Sequence, residues 1–162
     1  MSDDVLLWLS TAAAVGSGLA GGVFFAFSTF VMRGISRLRP GEAVRAMQAV
    51  NVAAPTPAFM TLLFGTAALA TGLVVIALAR WDEAGSGYLV AGGLLYAIPI
   101  VFTAAYHVPR NNALAEVDAD EGEAEAEAAW RRYAPGWVRW NHLRTVAPAA
   151  ACVMYVLAAR AV

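Results

Sequence analysis

Residues 5–32 read VLLWLSTAAAVGSGLAGGVFFAFSTFVM, without one charged side chain, and Arg33, Arg37 and Arg39 follow immediately. A helix of about 20 apolar residues, rising about 1.5 Å each, crosses a hydrocarbon layer about 30 Å thick. Residues 5–32 are long enough to cross, and so are the uncharged stretches 46–79 and 85–106. The last uncharged stretch, residues 145–159, spans only about 22 Å as a helix. Either Arg144 snorkels or, the preferred reading, the fourth span begins earlier, near Trp137, and carries Asn141 and Arg144 into the membrane interface. These stretches predict an all-α fold: a four-transmembrane-helix bundle with helices over about 5–32, 51–79, 87–107 and 137–160, one membrane domain covering residues 1–162.

All eleven basic residues are arginines, and nine of them fall in two places. Arg33, Arg37, Arg39 and Arg45 separate the first two stretches, and Arg110, Arg131, Arg132, Arg139 and Arg144 separate the last two. Between the second and third lies only Arg80, offset by Asp82 and Glu83, and the tail has only Arg160. The positive-inside rule then predicts two cytoplasmic loops and both termini outside, in a multi-pass protein of the plasma membrane.

The rest of the composition narrows the function. A chain of 162 residues, 60% hydrophobic, has room for one bundle and no second domain. The net charge of −1, with no basic patch interleaved with aromatics, excludes nucleic acid as an expected partner. Asp3 and Asp4 stand where a signal peptide carries basic residues, so the first stretch is expected to be retained as a span. Cys152 is the only cysteine and can form no internal disulfide. Gly16, Gly18, Gly21 and Gly22 give helix 1 a small-residue surface for close packing. Pro55 and Pro57 predict an irregular entry to helix 2, and Pro99 an interruption of helix 3. Residues 118–133, rich in Ala and Glu, predict a cytoplasmic surface helix ending before Pro135. The seven acids of residues 116–127 are close-spaced and lack histidine partners, which suits a solvated face better than a metal site.

The polar and aromatic residues suggest where chemistry would sit. Trp137, Asn141 and Arg144 share one helical face by their i, i+4, i+7 spacing, with Trp140 one turn before Arg144. An arginine within a span costs about 2.5–3.5 kcal/mol and needs a partner or a polar cavity, unless Trp and Arg here serve only as interfacial anchors. With alternating helix directions, Phe25, Phe27 and Phe30, Asn51 and Phe59, Tyr106, His107 and Asn111, and Trp137, Trp140, Asn141 and Arg144 converge at the inner leaflet. The opposite half offers Ala, Leu, Val and Gly, which pack but provide no chemistry. An aromatic cavity with a few polar groups suits a flat, apolar aromatic small molecule entering from the lipid bilayer. His107 is the candidate proton acceptor, whereas His142 is turned about 100° from the Asn141 face. No spacing for a metal, haem or nucleotide phosphate occurs, so no cofactor is expected. The choice between monomer and homo-oligomer stays open.

Several segments carry a resemblance along nearly the whole chain: Gly22-Val-Phe-Phe-Ala-Phe-Ser28 with Phe30-Val-Met32, Ala46-Met-Gln-Ala-Val-Asn51, Val108-Pro-Arg-Asn111-Asn-Ala-Leu114, and Trp130 followed by Trp137-Val-Arg-Trp-Asn141-His-Leu-Arg144-Thr. Together they resemble the anthrone oxygenase-like family of small four-helix membrane proteins. His107 stands where the family often has Asn, and Arg33 where it often has Pro. The resemblance implies a cofactor-independent monooxygenase that turns an anthrone-like or other aromatic polyketide substrate into a quinone through a base-generated enolate and dioxygen. His107 would then accept the proton, Arg144 with Asn141 and Asn111 would stabilise the oxyanion, and Trp137 with the phenylalanines would stack on the ring. The alternative is a non-enzymatic membrane protein using the same cavity to bind a quinone, a lipid or a partner protein.

Overall fold

The computed structural model describes residues 2–120 and 122–161; Met1 and Val162, at the expected outer termini, and Glu121 of the acidic run lie outside the described residues. Among the described residues there are helices and turns and no strand. We number the helices α1 (Asp3–Ile35), α2 (Pro40–Ala53), α3 (Pro57–Ala79), α4 (Ser86–Ala115) and α5 (Glu123–Ala159). All but α2 are long and apolar enough to cross a membrane, the build of a multi-pass membrane protein.

Leu6, Ala77, Leu89 and Ala158 line one small cavity. The start of α1, the end of α3, the start of α4 and the end of α5 therefore meet at one end, and the four spans alternate up and down. α5 is the central rod, packed mainly against α1 and α4. Small residues bring α1 and α5 close: a Cβ added at Gly21 would lie 3.4 Å from the Ala149 backbone nitrogen and 3.5 Å from Pro148. One core runs through the bundle, built from Ala13, Ala20, Phe24, Leu63, Leu73, Tyr96, Ala151 and Tyr155. This half is not chemically blank, because the buried Ser10, Ser17 and Tyr155 hydroxyls have no protein partner. The Tyr96 hydroxyl donates to the Leu63 carbonyl at 3.2 Å.

A second core closes the opposite end, where Met32, Val44, Met47, Leu114, Ala126, Tyr133 and Trp137 meet. α2 lies across this end. It starts at Pro40, and Glu42 at its third position accepts from the Arg39 backbone at 3.3 Å and from the Arg39 side chain at 2.8 Å. That side-chain bond holds the Glu42 carboxyl below its usual range. The far side of α2 is tied down by Gln48, whose Nε2 donates to the Leu114 and Val117 carbonyls at 2.9 Å and so fastens α2 to the end of α4 and the turn after it.

Two expectations need correction. The acidic segment forms no separate surface helix, since α5 runs from Glu123 to Ala159 straight through Pro135 and extends about 55 Å. Pro135 sits on the exposed face, where losing one hydrogen bond to the Arg131 carbonyl is relieved by solvent and by slight bending. Ala126, Ala129 and Tyr133 meanwhile bury the opposite face and hold the rod together. The chain breaks at Pro55 and Pro57 as expected, but residues 51–53, expected to open the second span, belong to the preceding helix. α2 ends at Ala53, and α3 begins at Pro57 with Thr56 as its cap, accepting from the Phe59 N–H at 3.2 Å. Pro99 leaves α4 helical, and Thr103 Oγ1 donates to the Pro99 carbonyl at 2.6 Å. A wide π-turn follows at Thr103–His107, with similar turns at Phe27–Val31 in α1 and Thr61–Gly65 in α3. Such turns shift which face a residue presents and are frequent at functional sites.

Candidate functional site

The site is organised by α5. Tyr133, Trp137, Asn141 and Arg144 form one buried stripe at helical spacing, facing α1, α2 and the end of α4. Asn141 is fully buried. Its Nδ2 donates to the Phe24 carbonyl at 2.8 Å and to Ser28 Oγ at 2.9 Å. Both amide hydrogens thus hold α1 where it passes into the π-turn at Phe27–Val31. Ser28 and Thr145 hydroxyls lie 3.0 Å apart, and Thr145 donates to the Asn141 carbonyl at 3.0 Å. Asn141 Oδ1 has no partner, which leaves the residue as an open acceptor.

Arg144 is only 7% exposed. Its guanidinium carbon lies 4.1 Å from the centre of the Phe24 ring and 5.8 Å from that of Trp137. No carboxylate among the described residues reaches it, and its Nε donates to nothing. Buried arginines are ordinarily paired. This one is held by aromatic faces, and no hydrogen bond among the described residues uses its guanidinium.

Beside it, Asn111 Oδ1 accepts from the Tyr133 hydroxyl at 2.7 Å and from Trp137 Nε1 at 3.1 Å, locking both rings. Asn51 sits by the Tyr133 hydroxyl with its buried Nδ2 unpaired. The cluster therefore offers two unused donors, on Arg144 and Asn51, and one unused acceptor, on Asn141.

His107 is buried beneath Trp137, with ring centres 5.1 Å apart at right angles. Its Nδ1 is 3.0 Å from the Phe102 carbonyl and its Nε2 is 3.3 Å from the Trp137 carbonyl. A neutral imidazole has one N–H for these two acceptors. To take a proton from a ligand the ring must first leave a carbonyl.

The structure brings together Phe27, Asn51, His107, Asn111, Trp137, Asn141 and Arg144 from the expected set. Phe27 is 5.7 Å from Trp137. Tyr106 and Trp140 lie one layer outward, 5.7 Å apart, with Trp140 stacked on Phe102 at 5.0 Å. Phe25 and Phe30 are 55% and 63% exposed and face outward, away from the cluster. Phe59 packs edge-on against Phe24 at 6.4 Å. The residues missing from the expected set are Phe24, Ser28 and Tyr133. Tyr133 and Phe24 both carried a signal: Tyr133 stands four residues before Trp137, and Phe24 continues the face of Ala13, Ser17 and Ala20 at helical spacing.

A groove of about 240 Å³ opens on the other side of Tyr133, lined by Arg110, Ala113, Leu114, Val117, Ala129, Arg132 and Tyr133. Among the described residues, no group of three or more His, Cys, Asp and Glu side chains could hold a metal ion. A family model described as anthrone oxygenase matches residues 58–154. No curated protein and no solved structure matches the chain.

Proposed function

The chain belongs to the anthrone oxygenase family, and from that premise we propose that it is a membrane-embedded, cofactor-independent oxygenase for an enolisable aromatic substrate of the anthrone type. The observation that carries this proposal is Arg144, a buried cation clasped by Phe24 and Trp137 with no carboxylate to neutralise it. A fixed positive charge in apolar surroundings stabilises a developing oxyanion far more than the same charge in water.

An anthrone carries a CH2 flanked by its two fused aromatic rings and across the central ring from its carbonyl, and this position makes it acidic. Removing one proton spreads negative charge onto the carbonyl oxygen, giving an electron-rich phenolate-like anion. Arg144 and Asn51 have the free donors to bind that oxygen. The anion transfers electron density to dioxygen, a C–O bond forms, and protonation gives a hydroperoxide. Cleavage of its O–O bond with loss of the second hydrogen gives the quinone and water, so one dioxygen is consumed for each quinone and water formed. In this scheme Asn141 accepts from a substrate hydroxyl through its open Oδ1, because its N–H groups are committed to α1. Asn111 positions Tyr133 and Trp137 against the ring. His107 accepts the first proton once it releases the Trp137 carbonyl, the longer of its two contacts.

One observation favours a binding protein without turnover: both ring nitrogens of His107 already face carbonyls. Oxygen uptake separates the two. The purified protein in detergent, given an anthrone and no metal, flavin or nicotinamide, should consume dioxygen and form quinone in equal amounts. Absence of uptake with tight quinone binding would overturn the oxygenase assignment and support the binder.

A further inference from the structure

The groove between the end of α4 and the first third of α5 takes no part in the chemistry proposed for Arg144. Its floor is apolar, from Ala113, Leu114, Val117 and Ala129, and Arg110, Arg132 and Tyr133 complete its lining. No lining residue is acidic, although acids are plentiful just beyond at Glu116, Asp118, Glu123, Glu125 and Glu127. The surrounding arginines are mostly spoken for, Arg131 by Glu127 at 3.5 Å and Arg45 by Asp120 at 2.6 Å. Arg110 and Arg132 have no ion-pair partner among the described residues. Arg110 lies flat on the Tyr106 ring at 4.7 Å, and its Nη1 makes a long bond of 3.4 Å to the Arg132 carbonyl. That contact ties Arg110 to the Arg132 backbone and leaves the Arg132 guanidinium itself unengaged.

From this arrangement we propose that the groove is a second binding site, for an anionic amphiphile: an oxyanion head held between Arg110 and Arg132 and an apolar body laid along Leu114, Val117 and Ala129. Both cationic side chains border the same groove, and a carboxylate or phosphate seated there can accept from guanidinium donors of each. The volume of about 240 Å³ exceeds the roughly 150 Å³ that houses a single benzene ring and falls below the range of about 300–1,000 Å³ for drug-sized ligands. It therefore suits one short chain or a small ring system and not a whole folded partner. The head can belong to a free acid or to an anionic lipid, since both present an oxyanion on an apolar stem.

The test uses the full chain in detergent, with laurate and uncharged dodecanol as probes in calorimetric titration. Laurate should bind and dodecanol should bind at least about tenfold more weakly, and Arg110→Gln and Arg132→Gln should each weaken laurate about tenfold or more. Leu114→Trp, which fills the floor, should abolish binding of the acid. In nanodiscs, retention of phosphatidylglycerol over phosphatidylcholine that is lost in the Arg110→Gln, Arg132→Gln double variant identifies a lipid as the source of the head; laurate binding without lipid preference identifies a free acid. Equal affinity for laurate and dodecanol, or laurate binding untouched by the double variant, would overturn the proposal. Folding of each variant is checked by its helical circular dichroism.

Discussion

Replacing Arg144 with methionine separates a functional cation from a structural one. Holding an arginine in a span costs about 2.5–3.5 kcal/mol at mid-membrane, and Arg144 recovers part of this from two aromatic faces, at about 0.5–2 kcal/mol each. No carboxylate contributes, and Nε leaves a further donor unsatisfied. Methionine keeps the unbranched stem that fills the space between Phe24 and Trp137 and removes the uncompensated charge. The variant should therefore match the parent in stability or exceed it by about 1–2 kcal/mol, where breaking a buried ion pair would cost about 3–5 kcal/mol. Quinone formation, in contrast, should fall by about 100-fold to 1,000-fold, the usual effect of deleting an oxyanion donor. Reversible unfolding of both proteins in mixed micelles of SDS, followed by helical circular dichroism, reads the first quantity, and oxygen uptake reads the second. A loss of 3 kcal/mol or more would refute the reasoning, because it would mean that Arg144 is paired and serves the fold.

Asn141→Leu should behave the opposite way, losing about 1–3 kcal/mol in the same unfolding assay, since two interhelical hydrogen bonds to α1 disappear and the Phe24 carbonyl and Ser28 hydroxyl stay buried; unchanged stability would show those bonds to be dispensable. Gly92→Ala should cost about 1–3 kcal/mol, because a Cβ there would come within 2.8 Å of the buried Tyr155 ring, and a wild-type unfolding midpoint would contradict that contact. His107→Gln should slow quinone formation by about 100-fold or more near neutrality, with the deficit shrinking as pH rises and solvent takes over deprotonation; a constant deficit across pH would assign the histidine to packing. Single cysteines introduced at Ser2 and Ala161, in a chain with Cys152→Ala, should label from the same side of the membrane, and from outside if the arginine asymmetry governs insertion; labelling from opposite sides would contradict the alternating bundle.

The spans were legible because a run of uncharged residues can be counted, and the face shared by Trp137, Asn141 and Arg144 was legible because α5 keeps its 3.6-residue period through that region. Tyr133 was lost by taking Pro135 as a helix end, although a proline on an exposed face need not stop a helix that is anchored on the other. The phenylalanines were misplaced for a different reason. They were assigned to one end of helix 1 without regard to face: Phe24 continues the buried face of Ala13, Ser17 and Ala20 and turns inward, Phe25 lies about 100° away and turns outward, and the turn at Phe27–Val31 shifts the face of the residues that follow it. The bond from Asn141 to the Phe24 carbonyl and the contact of His107 with the Trp137 carbonyl depend on the spacing between helices, which no local pattern in the chain encodes.

The continuity of α5 also fixes a phase. Tyr133, which walls the groove, and Arg144, which lies in the buried polar cluster, are locked in angle because one unbroken rod carries both. Inserting one residue between them would swing everything upstream by about 100° about the helix axis, carrying Tyr133 off Asn111 while leaving composition and hydropathy almost unchanged. Seven inserted residues would restore the angle to within about 20° but displace the groove along the axis by about 10 Å. The interval between the two is therefore constrained in length as well as in residue type.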